Sequence, residues 1–145
     1  MKTYTIREIG ELTGLSSSTL RYYEEEGILR DVGRTENHQR IYTERHLGRL
    51  RTLLCFKGTG MSIQQLKQFF QYEENEEEHL EEILELLSRQ REKVLEGMEQ
   101  LARDLKQVER KLCFYGAMKD ARDAGEKKPD WDSFWKENDT EILYQ

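Results

Sequence analysis

Four polar side chains stand close together in the stretch SSSTLRYYEEEGIL, residues 16–29, and their types suit contact with a phosphate backbone. Ser17 and Ser18 are small hydroxyls that permit close approach and donate hydrogen bonds to phosphate oxygens. Arg21 can reach a phosphate or a guanine edge, and the hydroxyl of Tyr22 can reach the backbone. The acids follow at the far end, where they would not repel a polyanion. The stretch therefore indicates contact with nucleic acid, and a capped helix with ordinary polar surface residues is the alternative.

These side chains need a helix that presents its N-terminal end. Thr5-Ile-Arg-Glu8 has the form of a capping box, which predicts a first helix that ends at Gly14. Ser16 is a suitable N-cap for a second helix, which stops at Gly27. Two helices joined by a short glycine-containing turn are typical of a helix-turn-helix, in which the N-terminal residues of the second helix lie nearest the bases. The amides and the dipole at that end also attract phosphate.

The next 40 or so residues predict a wing and a second helix pair. Residues 30–42 contain glycine, asparagine and scattered polar residues and end in Arg-Ile-Tyr, which indicates a loop or short hairpin. Thr43 would cap a third helix, which Gly58-Thr-Gly60 ends, and Ser62-Ile-Gln-Gln65 is a second capping box. The predicted head is two helix pairs with a wing between them.

A regular apolar pattern follows the head. From Leu80 to Tyr115 apolar residues recur in steps of three and four, interrupted only by Arg91, with no proline. This spacing predicts a coiled coil about 54 Å long at 1.5 Å per residue. One small head cannot bury such a stripe, so we expect a homodimer. Residues 73–85 carry eight glutamates and no base, whereas 103–111 is mainly basic, which favours antiparallel pairing, although exposed ion pairs contribute little each.

Charge and composition exclude several classes of protein. The net charge is −6, but residues 1–72 hold 11 Lys/Arg against 8 Asp/Glu, a net of +3, and residues 73–145 hold 12 against 21, a net of −9. A basic head is compatible with nucleic acid. No apolar run approaches the length of a membrane span and no signal peptide is evident, so we expect a cytoplasmic protein. Two cysteines 58 positions apart form no disulfide framework. The three histidines are scattered, and we expect no enzyme, no metal and no cofactor.

Together these motifs resemble the MerR family of bacterial transcription regulators. The matching parts are YTIREIGELTGLSSSTLRYYEEEGIL, the wing RTENHQRIYTERHLGRLRTL, and GMSIQQLKQF, and the resemblance covers about residues 4–115. It implies a mainly α fold, with a winged helix-turn-helix head, a long antiparallel coiled-coil dimerisation helix and a short C-terminal tail. We expect a DNA-binding domain over 1–72, a dimerisation helix over 73–118 and an effector or lid segment over 119–145.

The resemblance also implies a function. A homodimer would bind double-stranded promoter DNA and, on sensing an effector, bend and untwist it so that RNA polymerase can use misaligned promoter elements. By motif position, Ser17, Ser18, Arg21 and Tyr22 should contact DNA from the recognition helix. Arg34, Arg40 and Tyr42 should do so from the wing, although Arg40 has an alternative in pairing with a glutamate of the head. The alternative function is a coiled-coil adaptor that binds proteins and not DNA.

The effector is the least defined part of the prediction. Cys55 precedes Gly60-Met-Ser62 as a lone cysteine does in a subgroup of the family that responds to aldehydes or other thiol-reactive electrophiles, and basic neighbours would favour its thiolate. The alternative is that Cys55 is a packing residue. A pair of His79 and Cys113 across the dimer would supply few ligands for a metal ion. Trp131, Phe134 and Trp135 predict a short helix that folds back on the coiled coil or on the head of the partner. The alternative is a small lid that shapes an effector site near Cys113.

Overall fold

The computed structural model describes residues 2–137, which form six α-helices, one 3₁₀ turn and a three-stranded antiparallel sheet. The elements, in chain order, are β1 (Thr3–Tyr4), α1 (Ile6–Thr13), α2 (Ser17–Glu25), β2 (Gly33–Arg34), β3 (Arg40–Thr43), α3 (Glu44–Gly58), α4 (Ile63–Glu73), the 3₁₀ turn (Glu76–His79), α5 (Leu80–Asp123) and α6 (Trp131–Glu137). The predicted fold class, a mainly α chain with a winged helix-turn-helix head and a long helix, is confirmed.

The predicted helix starts are confirmed, because each rests on local hydrogen bonds. The Glu8 amide donates to Thr5 Oγ1 at 3.1 Å, and the Thr5 amide donates to the Glu8 carboxylate at 3.3 Å. Ser16 Oγ accepts from the Thr19 amide at the start of α2. Ser62 opens α4 through a capping box of the same kind. These caps satisfy amides that the first turn of a helix leaves without partners.

Two glycines shape the turn between α1 and α2. Gly14 has φ of 75° and so ends α1 in the left-handed region that other residues rarely adopt. Gly10 lies where α1 meets the turn, and a Cβ there would stand 2.9 Å from the carbonyl oxygen of Leu15. The close approach of the two segments therefore depends on glycine at position 10.

The sheet attaches the wing to the head. β3 is its central strand, with β1 and β2 on either side, and Tyr4 pairs with Tyr42 while Arg34 pairs with Arg40. The strand β1 was not predicted from the sequence. Its pairing with β3 places Tyr4 against the core and close to Glu44, whose carboxylate accepts a hydrogen bond from the tyrosine hydroxyl. That bond, with burial, raises the pKa of Tyr4.

The chain divides into two compact units, Met1–Arg91 and Glu92–Gln145. The first unit contains the sheet, α1 to α4 and the beginning of α5, and it has one apolar core. Leu20, Leu50, Leu53 and Leu66 are among its fully buried side chains, each of which stabilises the fold by about 1.5–3 kcal/mol. Three residues of α5 pack against this core: Ile83, Leu86 and Leu87.

The second unit consists of the rest of α5 and the tail. In this unit α6 folds back on α5, as one of the two predictions for the tail expected. Phe114 is 6% exposed and meets Trp131 and Phe134 edge to face, with ring centroids 4.9 and 5.6 Å apart. The guanidinium of Arg110 lies 4.6 Å from the ring centroid of Trp135. Residues 138–145 lie outside the described part of the chain.

The apolar stripe of α5 is largely exposed in the single chain. Leu101 and Leu112 are 69% and 67% exposed, and the stripe continues through Met98, Leu105, Val108 and Tyr115. At about 100° per residue, this stripe lies on the side of α5 opposite Arg110 and Phe114. The tail therefore covers the outer side of the helix and leaves the stripe open. No helix within residues 2–137 is long and apolar enough to cross a membrane.

Candidate nucleic-acid interface

The beginning of α2 presents hydroxyls and no acid. Ser17 and Ser18 are exposed, and the Ser18 hydroxyl lies 3.1 Å from that of Ser16, the N-cap. The first turn contains no carboxylate, so the positive end of the helix dipole is not neutralised by the chain itself. This surface can bind an anion through backbone amides and serine hydroxyls.

Two buried residues fix the orientation of α2. Leu20 is fully buried and Tyr23 is 3% exposed, so both belong to the core. Arg21 and Tyr22 lie on the other side of the helix and are exposed, Tyr22 to 42%. The residues assigned to DNA contact in α2 thus share one accessible surface.

The chain after α2 is tied to α3 by two hydrogen bonds. His46 is buried, and its Nε2 lies 2.7 Å from the carbonyl oxygen of Arg30, while its Nδ1 accepts from the Thr43 amide at 2.9 Å. Arg49 donates to the carbonyl oxygen of Ile28 at 3.0 Å. These contacts fix the chain at the end of α2 against α3.

The wing places two arginines side by side. Arg34 on β2 and Arg40 on β3 are direct neighbours across the strands. Both donate to the carboxylate of Glu24 in α2, Arg34 at 3.1 Å and Arg40 at 2.6 Å. The hydrogen bond to Glu24 raises the pKa of Arg40. The alternative stated for Arg40, a pair with a glutamate of the head, is therefore present in the structure.

Tyr42 lies beneath this surface rather than on it. Its side chain is fully buried, and its hydroxyl has no hydrogen-bond partner among the described residues. Burial raises its pKa, Glu24 raises it further, and Arg40, Arg34 and Arg21 lower it. The expected contact between Tyr42 and DNA does not fit this arrangement, because the side chain is fully buried and packs edge to face on the ring of His46, with ring centroids 5.8 Å apart.

The charges that act on Tyr42 show which predicted residues come together. Arg21 belongs to α2, and Arg34 and Arg40 belong to the two strands of the wing, and the charges of all three lower the pKa of the buried Tyr42 phenol. The hydrogen bonds to Glu24 place Arg34 and Arg40 beside the last turn of α2, the helix that also carries Arg21. Sequence reasoning did not identify Glu24, whose only signal was its position after the Arg-Tyr-Tyr string.

Cys55 lies apart from this surface, in the last turns of α3. Its thiol is free and its side chain is exposed in the single chain. Arg51 precedes it by one helical turn and Lys57 follows two residues later. Within residues 2–137, no group of three or more His, Cys, Asp or Glu side chains could hold a metal ion.

A second contact that the sequence did not reveal lies one turn after Cys55. Gln90 of α5 is 6% exposed, and its amide donates to the carbonyl oxygen of Thr59 at 2.8 Å and to the Thr59 hydroxyl at 3.0 Å. Thr59 caps the end of α3. This contact fastens the start of the long helix to the turn between α3 and α4, inside the first compact unit.

Comparison with known sequences identifies relatives of this chain. Residues 4–73 match the model of a family described as MerR HTH family regulatory protein. An uncharacterized HTH-type transcriptional regulator of Haemophilus influenzae is 39% identical over 113 residues, which are 78% of this chain and 84% of the relative. The HTH-type transcriptional regulator CueR of Escherichia coli is 35% identical over 60 residues, 41% of this chain and 44% of CueR.

Solved structures that are similar to this chain also include MerR family regulators. The crystal structure of HiNmlR, a MerR family regulator lacking the sensor domain and bound to promoter DNA, is 37% identical with a TM-score of 0.73, and the match covers 86% of this chain and 92% of that one. A MerR family transcriptional regulator from Bacillus thuringiensis is 31% identical with a TM-score of 0.66, covering 77% and 98%.

Proposed function

The chain belongs to the MerR family of helix-turn-helix regulatory proteins, and from this premise we propose that it is a homodimeric regulator that binds double-stranded promoter DNA. The observation that carries the proposal is that α2 presents an acid-free N-terminal end with an exposed Arg21, while Glu24 in its last turn holds the wing arginines Arg34 and Arg40 beside the same helix. The promoter DNA held by the related HiNmlR supports it. The relatives are transcriptional regulators, which supports a regulatory rather than an enzymatic role in the cytoplasm.

We assign the contacts by element. Ser17 and Ser18 approach phosphates at the N-terminal end of α2, and Arg21 and Tyr22 reach the groove. Arg34 and Arg40 contact the adjacent backbone from the wing, using the N–H groups that Glu24 leaves free. Tyr42 supports the wing from below.

The long helix provides a surface through which a second copy of the chain can bind. The exposed stripe of α5 matches the pattern of a coiled-coil seam, and we propose that a second copy covers it in the antiparallel sense. The domain limits follow: DNA binding by 1–72, dimerisation by 73–118 and an accessory segment at 119–145. Two recognition helices then address a near-palindromic operator, and bending and untwisting that DNA controls access by RNA polymerase.

DNA binding is tested with duplexes that the purified protein selects from a randomised pool. We expect the affinity for the selected duplex to fall steeply as salt rises, with a log–log slope near −0.9 for each phosphate contacted. The protein-binding adaptor predicts no enrichment in the pool, and its apolar interface would be insensitive to salt.

We further propose that the effector is an aldehyde or another thiol-reactive electrophile that Cys55 captures. The thiolate would add to the carbonyl carbon and water would supply the proton to the resulting alkoxide. An adduct at Cys55 would lie one helical turn from Thr59, where Gln90 fastens α5 to the head. Modification at that point would change how the start of α5 is held against the head.

The sensor assignment predicts that Cys55→Ser abolishes the change in promoter output that formaldehyde causes, while basal DNA binding is retained. A promoter–reporter assay measures this, with Cys113→Ser as the control for an exposed thiol elsewhere. An unchanged response of Cys55→Ser would refute the assignment without affecting the proposal of DNA binding.

A further inference from the structure

Glu24 occupies a position that the helix disfavours. It lies in the last turn of α2, where the negative end of the dipole repels a carboxylate. Its side chain is nevertheless only 21% exposed. This partial burial is explained by the two ion pairs that the Glu24 carboxylate makes.

Those contacts join three elements through one carboxylate. Oε1 accepts from Nη2 of Arg34 at 3.1 Å, and Oε2 accepts from Nε of Arg40 at 2.6 Å. The two arginines are directly opposite each other on β2 and β3, where like charges destabilise a strand pair. Glu24 offsets that repulsion and at the same time connects both strands to the recognition helix.

The bridge leaves both arginines able to bind phosphate. A guanidinium carries five N–H groups, and each arginine donates one of them to Glu24. The remaining donors of Arg34 and Arg40 have no other hydrogen-bond partner within residues 2–137. The carboxylate therefore orients the two cations without occupying them, and it lowers the net positive charge that the wing offers to any polyanion.

We propose that Glu24 is a positioning residue that sets the two wing arginines at a fixed angle to the recognition helix and so contributes to sequence discrimination. This inference rests on the proposed DNA-binding function. Sequence-independent binding needs only positive charge. Binding to a specific operator also requires that the wing and α2 reach their DNA contacts at the same time. A wing that is not fixed to α2 would not hold its arginines in the position that this requires.

The test compares Glu24→Gln with Glu25→Gln in the full-length chain. Glu25 is exposed and makes no hydrogen bond or ion pair within residues 2–137, but its charge also acts on Arg40, so it controls for the loss of one negative charge. Affinities are measured for the selected duplex and for a shuffled duplex of equal length. We expect Glu24→Gln to lower the ratio of specific to shuffled affinity about tenfold. We expect Glu25→Gln to raise both affinities and leave the ratio unchanged.

A second measurement separates positioning from loss of folding. Amide hydrogen exchange over residues 33–43 should accelerate in Glu24→Gln, while exchange in α3 stays as in the wild type. If Glu24→Gln does not fold, Glu24→Asp, which keeps the charge but shortens its reach, should lower the same ratio. An unchanged ratio in the folded variant overturns this inference alone. If the wild-type protein selects no duplex at all, the proposed function fails and this inference fails with it.

Discussion

Ser17→Asp is expected to lower the affinity for the selected duplex about 30-fold or more, while the thermal stability of the protein stays the same or rises slightly. A carboxylate about 4 Å from a phosphate costs about 1 kcal/mol in water and about 4 kcal/mol at an effective dielectric constant of 20. A dimer carries the change twice. The same carboxylate is favoured at a helix N-terminus by about 0.3–1 kcal/mol, and the exposed Ser17 side chain makes no hydrogen bond within residues 2–137 that would be lost.

The opposite signs of these two effects distinguish a binding role from a folding role. Duplex titration gives the affinity, and a thermal melt of the same sample gives the stability. Ser88→Asp, on the exposed surface of α5, provides the control for one added negative charge away from α2. Equal losses of affinity in both variants would show that net charge, and not the end of the recognition helix, determines binding.

The double variant Leu101→Asp/Leu105→Asp is expected to make the protein monomeric at micromolar concentration and to abolish specific DNA binding. The two leucines are 69% and 56% exposed in the single chain, so their removal leaves the folded monomer intact. Burying each leucine at a seam contributes about 1.5 kcal/mol or more. Four such side chains per dimer amount to about 6 kcal/mol, which weakens association about ten-thousandfold.

Sedimentation velocity measures this change directly. Gln100→Asp adds one such charge next to Leu101 but off the apolar stripe, and should remain dimeric. A double variant that sediments as the wild type would show that another surface joins the two copies, and the stripe would then need a different occupant.

Local chemistry explains why much of the fold was predictable. The caps at Thr5, Ser16 and Ser62 depend on residues three positions apart, and the stripe of α5 depends only on a helical period. The strand β1 was missed because two residues carry no pattern, and their pairing with β3 joins positions that are distant in the chain, Thr3 with Thr43 and Tyr4 with Tyr42.

The candidate site was harder to predict than the fold, because its geometry depends on tertiary contacts. The exposure of Arg21 and Tyr22 follows from helical phase once Leu20 and Tyr23 are buried. The burial of Tyr42 does not, since a strand of four residues gives no sign of which of its side chains the core covers. The pairing of Glu24 with both wing arginines likewise joins the helix to a hairpin whose position the sequence does not define.

The mass of the complex with DNA tests most directly whether two chains act together on one duplex. Native mass spectrometry of the full-length protein with the selected duplex should show the duplex plus two chains of 17.4 kDa each, and no complex with a single chain when protein is limiting. A complex of one chain per duplex, or free protein and free duplex at low salt, would contradict the account.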